Sequence, residues 1–262
     1  MEIREQALRA LILTSWEEKS ALLAACTAEV AVNPQRSLEA LPGIPGRPAR
    51  VELVAPASLA QRSVHTQEGR AVLIHALAHI EFNAINLALD AVWRFAGMPQ
   101  AYYRDWMQVA QEESMHFEML SRHLQSMGHV YGDFPAHDGL WEMAMRTQDD
   151  LLARLALVPR TLEARGLDAS PLIRHKLASA GDKVGAGLLD IILRDEIGHV
   201  AIGNRWFRWL CEQNSEHPLD AYERLARRYR APKLKGPFNV KARLEAGFDE
   251  AELARLQSSL HA

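Results

Sequence analysis

A chain of 262 residues with a formal net charge of -3 carries no global basic field for nucleic acid and no acidic run that would keep a tail solvated. Its length accommodates one large domain with extensions. Two isolated cysteines, Cys26 and Cys211, exclude a disulfide scaffold and a cysteine-rich zinc site, fit a reducing compartment, and read as small buried side chains. Glu2, Arg4, Glu5, Glu17 and Glu18 interrupt the N-terminal region where a secretory signal needs an apolar core, so the expected location is cytoplasmic. The most apolar segments carry charges or histidines inside a 20-residue window, and no membrane span is expected.

The fold class expected is all-α. Residues 2 to 31 read as one or two helices, and repeated prolines from Pro34 to Pro56 make the next stretch an extended connector. Four long helical patterns follow. The first runs from about Thr66 to Phe95 and stops at Gly97-Met98-Pro99; the second runs from Pro99 to Gly128. The third spans Leu140 to Arg165 and stops at Gly166; the fourth starts beyond Ser170-Pro171 and reaches Gln213. From Ser215 come a basic run (Arg224, Arg227, Arg228, Arg230), a Pro/Gly loop and a short terminal helix from about Asp249. The expected organisation is therefore an N-terminal helix and connector (1–65), a four-helix bundle (66–214) and a helical tail packing on it (215–262).

The second and fourth patterns each contain Glu-x-x-His: Glu113 with His116, and Glu196 with His199. At 3.6 residues per turn both members of a pair point the same way and can bind one ion from one helical face. The first and third patterns each offer one carboxylate at a matching place. Glu81 precedes Glu113 by 32 residues and Glu163 precedes Glu196 by 33, so two helical hairpins repeat one ligand spacing. These carboxylates lie on apolar stripes: Glu81 with Ile74, Leu77, Ala78, Ile85 and Val92, Glu113 with Trp106, Val109, Phe117 and Leu120, and Glu196 with Leu189, Ile192, Val200 and Phe207. A bare carboxylate there costs on the order of several kcal/mol, and protonation, an ion pair or a metal relieves it. The stripes hold no Arg or Lys, which favours metal. Four carboxylates and two imidazoles suit two iron ions, with manganese at one or both positions using the same ligands, better than zinc or calcium.

Some assignments stay open at this point. Glu112 could replace Glu113, although Asp105 and Gln108 occupy its stripe; Glu112 and Asp195 could instead orient the ligand histidines. Pro159 disturbs the helix of Glu163, and Arg160 offers that carboxylate a surface salt bridge. His75, His79, His123 and His175 read as hydrogen-bonded or surface histidines, with His79 nearest the site. Trp93, Trp106, Trp206, Trp209 and the Tyr102-Tyr103 pair read as packing residues, with electron transfer to or from the metal as the alternative, and the arginine run as a solvated helix face, with a phosphate contact as the alternative.

The segments HALAHIEFNAINLALD, EESMHFEMLSRHLQSMGH, TLEARGLD and RDEIGHVAIGNRWF, with PGIPGRPARVELV and GPFNVKARLEAGF, resemble a bacterial ferritin-like di-iron family catalogued as a domain of unknown function. The resemblance covers most of the chain and implies a ferritin-like four-helix bundle with a di-metal site; it supplies no substrate. The function expected is that of an O2-dependent oxidoreductase of the hydroxylase or monooxygenase type. Its partners would be O2, a small organic substrate and an electron-donor reductase; tRNA is a direction favoured only by the basic terminal run, and nothing in the sequence speaks against an oligomer. The alternative is iron storage or peroxide detoxification of the ferritin or rubrerythrin kind, against which stand the long extensions and the lack of a cysteine-rich iron site. A helical scaffold keeping a metal for stability is a third reading.

Overall fold

The computed structural model describes residues 1–60 and 62–258; Gln61 of the expected connector and the last four residues of the expected tail lie outside the described residues. Among the described residues the protein is all-helical, apart from one isolated parallel bridge between Leu53 and Ala136. It forms two units, Met1–Trp141 and Glu142–Ala262.

In the first unit, α1 (Ile3–Ile12) and α2 (Trp16–Ala24) are separate because Ser15 starts a new helix, its side chain accepting from Glu18 N. The described residues of the connector hold one short 3-10 helix, Pro56–Ser58, and otherwise only extended stretches and isolated turns before α3. Thr66 caps α3 (Gln67–Arg94) by accepting from Gly69 N, and a five-residue connection leads into α4 (Gln100–Ser126), making an antiparallel hairpin. α3 is long and apolar enough by composition to cross a membrane, but 78% of its most apolar window is buried, as in a core helix. Every residue from Glu81 to Trp93 is buried.

Arg4, 1% exposed, ties α1, the connector and the end of α3 together. Its guanidinium donates to Val92 O (3.3 Å) and Trp93 O (2.7 Å), two carbonyls at the C-terminal end of α3, and to Asn33 O, Pro34 O and Arg36 O of the connector. A cation is favoured at that end of a helix, where carbonyls lack partners.

α5 (Gly139–Arg146) carries the chain into the second unit, where α6 (Leu151–Leu157), a π-helical segment (Val158–Glu163) and α7 (Ala164–Ser179) form one nearly continuous run. Two expectations are corrected here. The third helix breaks at 147–150, where Asp150 caps α6 by accepting from Ala153 N. It also passes through Gly166 and Pro171 instead of stopping. Pro171 lacks the N–H that Leu167 O would ordinarily receive, and Asn239 Nδ2 donates to that carbonyl instead (3.2 Å). The turn falls at Ala180–Gly181, with Gly181 at φ +87°, and Asp182 then caps α8 (Lys183–Gln213). α9 (Pro218–Arg228), α10 (Val240–Glu245) and α11 (Glu250–Ser258) complete the unit. Ala242, Ala246, Phe248 and Leu253 of this tail pack on Ala164, Leu167 and Val200 of α7 and α8.

Candidate metal centre

Within the α3–α4 hairpin Glu81 lies 16 residues before Gly97 and Glu113 lies 16 after it, so the two carboxylates reach one level. Glu81, Glu113 and His116 are 4%, 1% and 1% exposed. Each offers a ligand atom within 4.8 Å of those of the other two, close to the span two donors need around an ion about 2.0–2.2 Å from each. His116 Nδ1 lies 3.2 Å from Glu113 Oε2 and 3.6 Å from Glu81 Oε2. Glu81 Oε2 is buried and makes no hydrogen bond.

Burial raises the pKa of Glu81, and the charge of Glu113 pushes it the same way. Burial opposes the charge on His116, but Glu113 and Glu81 outweigh it and hold the imidazole well above its ordinary 6.5. Without a metal, protons must therefore do what a cation would do better. An orphaned carboxylate oxygen beside a second carboxylate and an imidazole is a donor set that fits a divalent ion, and this buried group could hold one. Glu112 faces elsewhere: it is half-exposed and accepts from Gln108 Nε2 (2.8 Å), so Glu113 is the inward member of the pair.

In the second unit Glu196 and His199 are 8% and 1% exposed, with His199 Nδ1 3.6 Å from Glu196 Oε1. The corrected turn matters here. Glu163 lies 18 residues before Gly181 and Glu196 lies 15 after it, so they sit at nearly one level, which a stop at Gly166 would not have allowed. Glu163 is half-buried and ends the π segment. There Ala164 N donates five residues back to Pro159 O, and Thr161 Oγ1 to Ala156 O, the wide turn by which the helix absorbs a proline. Asp195 pairs with Arg194 (2.8 Å).

Gly203, one turn beyond His199, faces Pro159: a Cβ there would sit 2.5 Å from the proline Cβ. Gly203→Ala should therefore push the π segment off α8 and cost about 1–3 kcal/mol in chemical denaturation; a loss below about 0.5 kcal/mol would show that the contact yields freely.

Arg160 removes the competing reading of Glu163 as its surface partner. It makes no surface salt bridge to Glu163; it is 3% exposed and donates to Glu252 Oε1 (2.5 Å). His79 meets Tyr131 Oη (2.8 Å) and His137 O (3.1 Å), and His75 accepts from Gly132 N (2.9 Å), so both are hydrogen-bonded, neutral histidines with pKa values lowered by burial to about 4. His123 lies beside Ser126 and His175 is exposed. Tyr102, Tyr103, Trp93, Trp106 and Trp206 are buried packing residues, as are Cys26 and Cys211. Tyr131 is an addition the sequence reading missed. It lies in a loop and makes ring contacts with Phe82 and Phe117, the neighbours of Glu81 and His116 in sequence (5.5 and 5.0 Å). No periodic pattern marks such a residue.

Residues 10–254 match the family described as "Protein of unknown function (DUF455)". The chain belongs to this family. An uncharacterized protein of Haemophilus influenzae is 49% identical over 213 residues, covering 79% of this chain and 74% of its own. No solved structure matches the chain. For this DUF455 member the buried side chains themselves are thus the guide to function.

Proposed function

We propose that this protein is a ferritin-like di-iron carboxylate protein acting as an O2-dependent oxidoreductase, of the hydroxylase or monooxygenase type, on a small organic substrate. The helices of residues 66–214 would form the bundle, and Glu81, Glu113, His116, Glu163, Glu196 and His199 would hold two iron ions, or manganese at one or both positions. The observation that carries this reading is the buried Glu81–Glu113–His116 group with its orphaned carboxylate oxygen. The second Glu-x-x-His pair, also buried, and the repeated 32- and 33-residue spacing support the extension to two ions.

When bound, the iron pair would supply the electrons and the open coordination positions that O2 reduction requires. The chain's own part is to hold the donors oriented and dry; the protons that burial favours on Glu81, and the neighbouring carboxylates on His116, would give way to the ion. Phe82, Phe117 and Tyr131 bring aromatic surface next to the first donors in sequence, which limits access of water. The storage alternative is separated by challenging the purified protein with excess Fe(II) in air and measuring iron per chain after gel filtration. An oxidoreductase should stop at about two ions per chain and keep consuming O2 when a reductant is supplied. Uptake rising far beyond that number, in a large assembly, would replace this reading with storage.

A further inference from the structure

We propose that the second unit carries a binding site for a small organic anion, a phosphate or carboxylate group on an apolar body, in the cleft that α9, the loop after it and α11 enclose over Arg160. The cleft measures about 880 Å³, ample for such a molecule. Leu219, Tyr222, Leu234, Phe248 and Leu256 give it an apolar lining.

Its charge is one-sided. Arg227, Arg230, Lys233 and Lys235 line it, are exposed, and have no acidic partner among the described residues. The other arginines of the same helix are neutralised: Arg224 pairs with Glu216 and Arg228 lies 3.7 Å from Asp150. Arg255 and Arg243, also in the lining, pair with Glu223 and Asp168. Within α9 and the loop after it, the positive charge left without an acidic partner therefore lies on the cleft side.

The second, independent observation is at the bottom. Arg160 lines the cleft, is 3% exposed, and is held over the rings of Phe207 (4.3 Å) and Phe248 (5.2 Å). Nη2 donates to Glu252, which divides its oxygens between Arg160 and Arg208, while Nε and Nη1 are buried with no acceptor. Buried guanidinium donors without acceptors are costly, and an anionic headgroup is the acceptor that relieves them. The apolar lining and the concave shape favour a small amphiphilic anion over a nucleic-acid backbone, which meets open basic surfaces.

The test uses the full chain and the fluorescent probe 8-anilinonaphthalene-1-sulfonate, an anion on an aromatic body. One saturable equivalent per chain is expected, displaced by octyl phosphate or by octanoate and not by neutral octyl glucoside; whichever of the two anions acts at lower concentration identifies the headgroup. The exposed double variant Arg230→Gln/Lys233→Gln should weaken probe binding about tenfold or more, and Arg160→Met should abolish the saturable phase. If Arg160→Met fails to fold, the double variant decides. Affinity within about twofold of wild type in the double variant, equal displacement by octyl glucoside, or displacement by an RNA oligomer at lower concentration than octyl phosphate would each overturn the proposal.

Discussion

Glu81→Gln is expected to raise the melting temperature of the metal-free protein while removing the stabilisation that added metal gives the wild type. Glu81 is buried beside Glu113 with one oxygen unbonded, and its folded pKa is raised above the ordinary 4.5. A carboxyl shifted upward contributes its stability below its unfolded pKa and loses it as pH rises through the folded value, so the wild type pays a penalty at neutral pH. Glutamine keeps the shape and never ionises. The gain should be on the order of 2 kcal/mol near pH 7, or about 4–8 °C, and should vanish below the ordinary carboxylate pKa. Metal binding reverses the order: at about 100 times its Kd an ion adds about 2.7 kcal/mol to the wild type, and the variant, lacking an anionic oxygen, should lose most of that. Thermal melts with and without Mn(II), which is stable in air, read both effects. A variant that melts lower without metal, or keeps the full metal-induced shift, would show that Glu81 is structural.

Arg4→Met should destabilise the first unit by about 3–5 kcal/mol. Methionine fills much of the volume but removes a donor from five backbone carbonyls, Val92 and Trp93 at the end of α3 and Asn33, Pro34 and Arg36 in the connector, of which Asn33 O and Pro34 O keep a backbone N–H. The connector also accepts from Gly97 N through Pro34 O, so its detachment should loosen the α3–α4 turn that sets the level of Glu81 and Glu113. Chemical denaturation gives the loss directly, and Arg4→Lys should recover only part of it, because an ammonium cannot span five acceptors. A loss under about 1 kcal/mol would mean that water takes over these carbonyls.

The first hairpin was legible because its signals are local. Thr66, Gly97 and Gly128 mark the ends of α3 and α4 within three residues, and the apolar stripe singled out Glu113 over Glu112 as the inward residue. The second hairpin misled for the opposite reason. Gly166 and Pro171 are ordinary stop signals, overridden by a side chain 72 residues away that satisfies Leu167 O. Pro159 did disturb its helix as expected, but the disturbance took the form of a π turn seated against Gly203, which depends on α8 being there. Arg160 looked like a surface partner for Glu163 because its acceptor, Glu252, lies 92 residues further on. The clustered Glu81, Glu113 and His116 were visible in the sequence because an acidic or imidazole side chain on an apolar stripe stands out without any packing detail.

Metal content is the most direct check of the central claim. The wild-type protein, loaded anaerobically with Fe(II) and freed of excess by gel filtration, should retain about two ions per chain, and Glu113→Ala and His116→Ala should each retain clearly less. Wild type that holds no stoichiometric iron, or variants that hold as much as wild type, would contradict the account.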